Sequence, residues 1–388
     1  MLRKFIFVLL LILALASGLS EPLCRNSARI IFFITAVMFF VDRRVLELIK
    51  RRRRFFFLML AFVGWMVVAS LYSGHVPSTE DSSTYWLYFS YNMLLFVPMG
   101  LFIDREKQLD WLIVVLAISL MLNNVVIEVQ LYYGSERPVT FLRGAFMQSA
   151  LLYVVLLPIY LIVALRAERR PIKILWWTFF LLSFGAFILL KTRGALLMML
   201  MVLPAVILFF VRDVKKLFSI AMIFIVSATI FFNVYPEAVD RIETVKNFDA
   251  EQSVSERFLM WQSAFDMIKD NPILGVGFGN FEQKYQREYI LPEARERWQG
   301  HAHNTYLQLW AETGLIGLSI YCAMFGYILW WSWRRRSSKY AAMIFFSTAG
   351  FLLYSLTDYT YASYSAMRVY WFVFGLGLRG VDFSAADE

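Results

Sequence analysis

Apolar stretches of membrane-spanning length alternate along this chain with short connections rich in Lys and Arg. About 20 consecutive apolar residues cross the hydrocarbon of a bilayer. The pattern predicts twelve such spans, at 5–20, 23–41, 55–72, 85–103, 109–131, 146–165, 172–190, 194–211, 217–235, 304–333, 341–357 and 366–380. The second is the weakest, because its unbroken apolar run covers only 30–41 and Arg25 and Arg29 must snorkel toward the headgroups. Composition agrees: 60% of the 388 residues are hydrophobic and 17% charged, against about half and about a quarter in soluble domains. The expectation is an all-α polytopic membrane protein in three parts: spans one to nine (1–235), a polar loop (236–302), and the last three spans with a C-terminal tail (303–388).

The first segment also reads as a signal peptide, with Arg3 and Lys4 before an apolar run and Ala14-Leu15-Ala16 as a cleavage site. Either reading leaves the later spans oriented alike. With the N-terminus inside, the cytoplasmic connections hold 23 of the 38 basic residues, the short outer connections seven and the long loop eight. Long loops are exempt from the positive-inside rule, so both termini are expected inside and 236–302 outside. The net charge of +9 is thereby a topology signal and not a nucleic-acid signal. The run Lys50 to Arg54 reads as a stop-transfer signal that needs no partner, with a lipid headgroup or nucleic acid as the competing readings. Cys24 and Cys322 make no disulfide framework and no CxxC metal pair.

The 236–302 loop is long and polar enough for structure of its own. Ser253 and Glu256 have capping-box spacing ahead of Phe258, Trp261, Phe265 and Ile268. Asp270-Asn271-Pro272 then stops the run, so an amphipathic helix of about 17 residues is predicted, lying along the membrane surface. Arg257 falls in its first turn, against the positive end of the helix dipole. It either pairs with an acid such as Glu256 or helps hold an anion. Gly275-Val276-Gly277-Phe278-Gly279 is a turn-rich stretch and a weak nucleotide loop.

Several polar residues are expected where spans meet the outer surface. Lys191-Thr192-Arg193-Gly194 makes a tight turn, Arg143 stands at the start of span six, and Asp358 lies between the last two spans. Arg193 either snorkels to lipid phosphate or reaches the phosphates of a lipid-linked substrate. His301-Ala302-His303-Asn304 stands where the long loop returns to the membrane. Three readings are open: interfacial polar residues, a metal site for which His-x-His supplies only two ligands, or a general base, since neutral imidazole takes a proton near pH 7.

His301-x-His303-Asn304, with Leu307-Gln308 and Glu312-x-Gly314-x-x-Gly317, resembles the signature of bacterial O-antigen ligases and O-antigen polymerases. Asn271-Pro272-x-x-Gly275-x-Gly277-x-Gly279, Arg257 with Trp261, and Thr192-Arg193-Gly194 fit the same family. The resemblance implies a GT-C-like membrane glycosyltransferase working at the periplasmic face of the inner membrane. The donor would be a glycan on undecaprenyl diphosphate. The acceptor would be lipid A–core for a ligase, or another lipid-linked repeat unit for a polymerase. By the same resemblance His303 matches the essential histidine, and Arg193 and Arg257 match arginines assigned to the diphosphate. Asp358 and Arg143 match more loosely, and His301 and Asn304 would be supporting residues. The sequence 142–149 lacks the Pro-Asn pair many relatives carry, which weakens any role for Arg143.

The chemistry is consistent with a compartment lacking ATP, where the donor must arrive activated. Two guanidiniums can hold the charge developing on a departing diphosphate, each charge-assisted bond worth ~1.5–3 kcal/mol, in place of a divalent metal. No cofactor is then expected; membrane lipids, donor and acceptor are the expected partners. A transporter of lipid-linked sugars is the rival from another class. It is disfavoured because the spans carry few ionisable residues, Glu128 being one, and the polar groups crowd one face.

Overall fold

The computed structural model describes residues 2–72, 92–135, 138–141, 146–234, 252–295, 300–362 and 364–385. Among these every regular element is helical and no strand forms. Among the described residues seven helices are long and apolar enough to cross a membrane: Pro22–Val41, Arg53–Leu71, Glu106–Tyr132, Gln148–Arg166, Arg170–Leu189, Arg193–Phe210 and Thr305–Trp333. Four more predicted spans coincide with the helices Leu2–Ala16, Val214–Val234, Lys339–Tyr354 and Tyr364–Ser384. Of the span expected at 85–103, the described part contains the short helix Phe96–Phe102. Phe33, Phe40, Phe57, Leu71 and Leu200 are exposed on these helices, as a hydrocarbon surrounding demands.

Of those seven helices, Gln148–Arg166 is the most enclosed. It packs against the 170–189, 193–210, 339–354 and 364–384 helices. Small residues let the backbones approach: Ser347 donates its hydroxyl to the Val155 carbonyl at 2.8 Å, and a Cβ on Gly350 would sit 3.3 Å from Val154.

In the basic run 50–54 four residues are exposed and one, Arg52, has partners of its own. The run is split at Arg52, between a nine-residue amphipathic helix, Arg43–Arg51, and the helix Arg53–Tyr72. Arg52 is buried, donates to Asp382 at 2.6 Å and lies over the Trp331 ring at 5.0 Å. It therefore pins the end of one span to two others.

The helix Thr305–Trp333 is broken at Gly314, whose φ is +66°. A break frees backbone carbonyls, and each one left unpaired within a membrane costs several kcal/mol. All three carbonyls ahead of the break are satisfied from outside the helix. Val276 N–H donates to Ala311 at 2.8 Å, Gly277 N–H to Glu312 at 2.9 Å, and the Trp65 indole to Thr313 at 2.8 Å. Beyond it, Leu315 N–H donates to the Pro272 carbonyl at 2.9 Å. The Gly275–Gly279 stretch is thus a strap stitched into a broken span, and not a nucleotide loop.

The loop helix runs Gln252–Asp270, 19 residues, and ends at the predicted stop. Ser253 lies within its first turn, and the Ser253 side chain, with the capping box expected of it, is outside the described residues. Met260, Ala264, Met267 and Ile268 form a small core with Val276, Phe281, Tyr285, Ala302 and Ala311. Phe258 and Phe265 face outward, a second apolar face suited to a membrane surface.

Candidate active site

The site begins with a helix cap. Asn304 has extended backbone angles, and its Oδ1 accepts from the N–H groups of Tyr306 (3.0 Å) and Leu307 (3.1 Å). Its Nδ2 donates to the Leu356 carbonyl at 3.0 Å. Thr305 continues the stitching: its N–H donates to the Ser355 carbonyl and its hydroxyl to the Asp358 carbonyl, at 2.9 and 3.0 Å. The start of the 305–333 helix is therefore fixed to the turn at 355–360. That brings residues 303 and 358 together across 55 positions of chain.

His303, just ahead of the cap, adopts φ +48°, an uncommon angle for a residue with a side chain. Its Nδ1 faces Oδ1 of Asp358 at 3.4 Å. Oδ2 of Asp358 accepts from the Tyr354 hydroxyl at 3.0 Å, and Oδ1 also accepts from the Tyr359 N–H at 2.8 Å. Burial would raise the Asp358 pKa, but the hydrogen bond and charge of His303, with smaller contributions from His301 and Tyr359, hold it below the ordinary carboxylate value. A carboxylate only accepts, so it selects the His303 tautomer with the proton on Nδ1. The Nε2 lone pair is then free.

His301 packs edge-on to the His303 ring, centroids 4.3 Å apart, and its Nδ1 accepts from the His303 N–H at 3.4 Å. Burial, then the charges of His303 and Arg257, push the His301 pKa down to about 4, against the pull of Asp358. The ring is accordingly neutral near pH 7. The peptide between the two histidines is clamped on both sides. The Trp261 indole donates to the Ala302 carbonyl at 2.8 Å, and the Ala302 N–H donates to Gln308 Oε1 at 2.8 Å. Gln308 in turn donates to Glu312 at 3.0 Å, which also accepts from the Phe281 N–H at 3.2 Å. Gln308 and Glu312 hold the histidine string to the loop core.

Arg257 is the sixth residue of its helix, in the second turn, so the expected dipole conflict largely disappears. Its Nη1 donates to the Thr357 carbonyl at 3.0 Å, one residue from Asp358, while Glu256 accepts from the Arg295 N–H at 3.1 Å. The Arg193 turn arrives at the same place. A Cβ on Gly194 would collide with the Thr357 side chain, so Gly194 and Thr357 are in close contact. Thr357 joins the two arginine-bearing elements to the His303–Asp358 pair. Neither it nor Tyr354 carries any sequence signal that marks it. Arg143 lies outside the described residues.

The metal reading changes here. The sequence offered two ligands, but the fold adds Asp358. One ring nitrogen of each histidine and one carboxylate oxygen all lie within 4.8 Å of one another.

Fold and site together define a multi-pass helical membrane protein with a His–Asp pair and two arginine-bearing elements gathered at one end of its bundle. Residues 178–322 match the family model of the O-antigen ligases. A candidate polysaccharide ligase of Rickettsia felis is 27% identical over 130 residues, and one of Rickettsia conorii 26% over the same length, in each case 32% of this chain and 32% of the relative. The exopolysaccharide production protein ExoQ of Rhizobium meliloti is 31% identical over 112 residues, 27% of this chain and 24% of that protein. The matches thus span about a third or less of those relatives. Together they support the O-antigen ligase family for this chain.

Proposed function

We propose that this protein transfers a glycan en bloc from undecaprenyl diphosphate to a sugar hydroxyl of lipid A–core, at the periplasmic face of the inner membrane. The observation that carries this reading is the meeting of His303, Asp358 and Arg257 around residue 357. They lie at the end of the 305–333 helix remote from Arg334, Arg335 and Arg336. That helix would separate the two ends by about 40 Å. Orientation follows from the basic connections, which mark the remote end as cytoplasmic.

In this reading Nε2 of His303 takes the proton of the acceptor hydroxyl as its oxygen attacks the anomeric carbon. The carbon–oxygen bond to the diphosphate breaks, and its electrons leave with undecaprenyl diphosphate. Attack from the face opposite the leaving group inverts the configuration. Arg193 and Arg257 hold the charge that develops on the diphosphate. Asp358 stabilises the imidazolium that forms, as in other carboxylate–histidine pairs.

The test is complementation of a deletion strain, read on a lipopolysaccharide gel. Loss of this ligase leaves bare core, with polymer stranded on its carrier. His303→Ala, Arg193→Ala and Arg257→Ala are expected at normal membrane levels without restoring transfer; restoration by His303→Ala overturns the base assignment. The similarity to the exopolysaccharide production protein favours a second reading, a polymerase joining lipid-linked repeat units. Its deletion phenotype differs: core capped by a single unit.

A further inference from the structure

We infer that His301, His303 and Asp358 form a three-ligand site for a zinc-class divalent ion, and that filling it switches the proposed transfer off. The second half rests on the reading of His303 as the base; the first does not.

Ligand atoms at ~2.0–2.2 Å from a tetrahedral zinc stand roughly 3.3–3.6 Å from one another, as bond length times 1.63 gives. The 3.4 Å between His303 Nδ1 and Asp358 Oδ1 is already such an edge. It is long for a hydrogen bond between imidazole and carboxylate, where ~2.7–2.9 Å is usual for the charged pair. With all three ligand atoms within 4.8 Å of one another, closing the remaining edges takes about 1.4 Å at most. Rotation of His301 supplies that movement, since the bond it gives up, from the His303 N–H, is a weak one at 3.4 Å.

The surroundings are those of a held site. A ligating carboxylate is usually fixed by outer partners, and here Tyr354 and Tyr359 both donate to Asp358. The spacing of the two rings is set by Trp261 and Gln308, which grip the peptide between them. Three protein ligands leave a fourth position for water, and two imidazoles with one carboxylate suit zinc, copper or nickel. Magnesium and calcium call for six or more oxygens. Arg257, bonded one residue from Asp358, opposes any cation, and a borderline-soft ion gains most from imidazole to offset it.

Occupancy has a chemical consequence. An ion on His303 Nδ1 displaces the proton there onto Nε2. The lone pair that would accept the hydroxyl proton is then gone, and no proton is lost or gained overall.

The experiment is a Zn²⁺ titration of the purified full chain in detergent, against a competing chromophoric chelator. Wild type should bind one equivalent. His301→Ala and Asp358→Asn should bind it at least ~10-fold more weakly, since even outer-shell changes cost 10–100-fold, with thermal melting showing that each variant remains folded. Wild type that binds no zinc, or His301→Ala that binds as tightly as wild type, overturns the site. X-ray absorption at the zinc edge gives an answer independent of the variants: two imidazoles support it, and any other number overturns it. A separate transfer assay tests the switch. Zinc should stop transfer and excess chelator restore it. Zinc bound with transfer undiminished overturns the switch and the base assignment together, whereas a failure of binding leaves the base assignment standing.

Discussion

Asp358 links Tyr354 to His303: one carboxylate oxygen accepts from the tyrosine hydroxyl at 3.0 Å, and the other faces the imidazole Nδ1 at 3.4 Å. If the pair works as base and orienter, Asp358→Asn presents an amide that can donate where the carboxylate could only accept, and the wrong His303 tautomer becomes available. The expected loss is about 10²–10⁴-fold in kcat, the range that general base catalysis contributes, with donor KM nearly unchanged. Tyr354→Phe removes one hydrogen bond to the carboxylate, worth ~1.5–3 kcal/mol, but leaves its charge and its contact with His303 in place, and should cost only about 10-fold. Steady-state transfer with purified protein and lipid-linked donor gives both numbers. Equal effects of the two variants would show that Asp358 only holds the turn.

Arg257 offers a contrast of charge against geometry. Lysine keeps the charge but loses the planar fork that meets a diphosphate and a carbonyl together. Arg257→Lys should therefore retain measurable transfer with a raised donor KM, and Arg257→Ala should retain none. Donor titrations on the two variants decide it. An alanine variant with a normal donor KM would remove the arginine from diphosphate binding.

Thr357 is predicted to transmit damage from one arginine-bearing element to the other. A methyl group on Gly194 meets the Thr357 side chain. Gly194→Ala should thus lower transfer more than tenfold by shifting both Arg193 and the carbonyl that accepts from Arg257. Thr357→Ala removes most of the obstruction and should restore part of the activity in the double variant. Additive losses would mean the two residues are not coupled.

Removing metal should do nothing to transfer by wild type, because two guanidiniums take the electrostatic role in the proposed mechanism. Activity measured in excess chelator should match the untreated protein. Strict dependence on added metal would turn the His301, His303 and Asp358 cluster from an inhibitory site into a required one.

What could be read from the sequence follows from the range of the interactions involved. Membrane spans depend on local hydropathy, and each predicted span has a helical counterpart among the described residues, the fourth only in the short Phe96–Phe102. The stop at Asp270-Asn271-Pro272 is equally local and falls where expected. His301 and His303 stood out by their spacing. The third member of their cluster is 55 residues further on, and only the fold of the 355–360 turn brings it there. Tyr354 and Thr357 act through a hydroxyl and a carbonyl that no residue-type pattern signals. The Arg43–Arg51 helix lies in a short connection between two spans, read from the sequence only for its basic residues.

The break at Gly314 yields the sharpest structural prediction. Gly314 and Gly275 both have positive φ, +66° and +75°, and each leaves its missing Cβ pointed at the other's backbone segment. On Gly314 a Cβ would strike the Ile273 carbonyl; on Gly275 it would strike the backbone at Glu312. Neither obstacle is a movable side chain. An alanine at either position must therefore pull the strap out of the break or straighten the helix. If the strap leaves, Ala311 and Glu312 lose their partners for two buried carbonyls, at ~1–3 kcal/mol each. Because the strap and the 252–270 helix share one small core with Ala302, the displacement reaches the histidines. Gly314→Ala and Gly275→Ala should each lower the melting temperature in detergent and abolish transfer, although they lie 11 and 28 residues from His303 in sequence. Gly326 gives the control, since a Cβ there meets nothing within 4 Å. Gly326→Ala should melt at or above the wild-type temperature with transfer intact. A Gly314→Ala protein indistinguishable from that control would mean that the break is not what holds the loop in place.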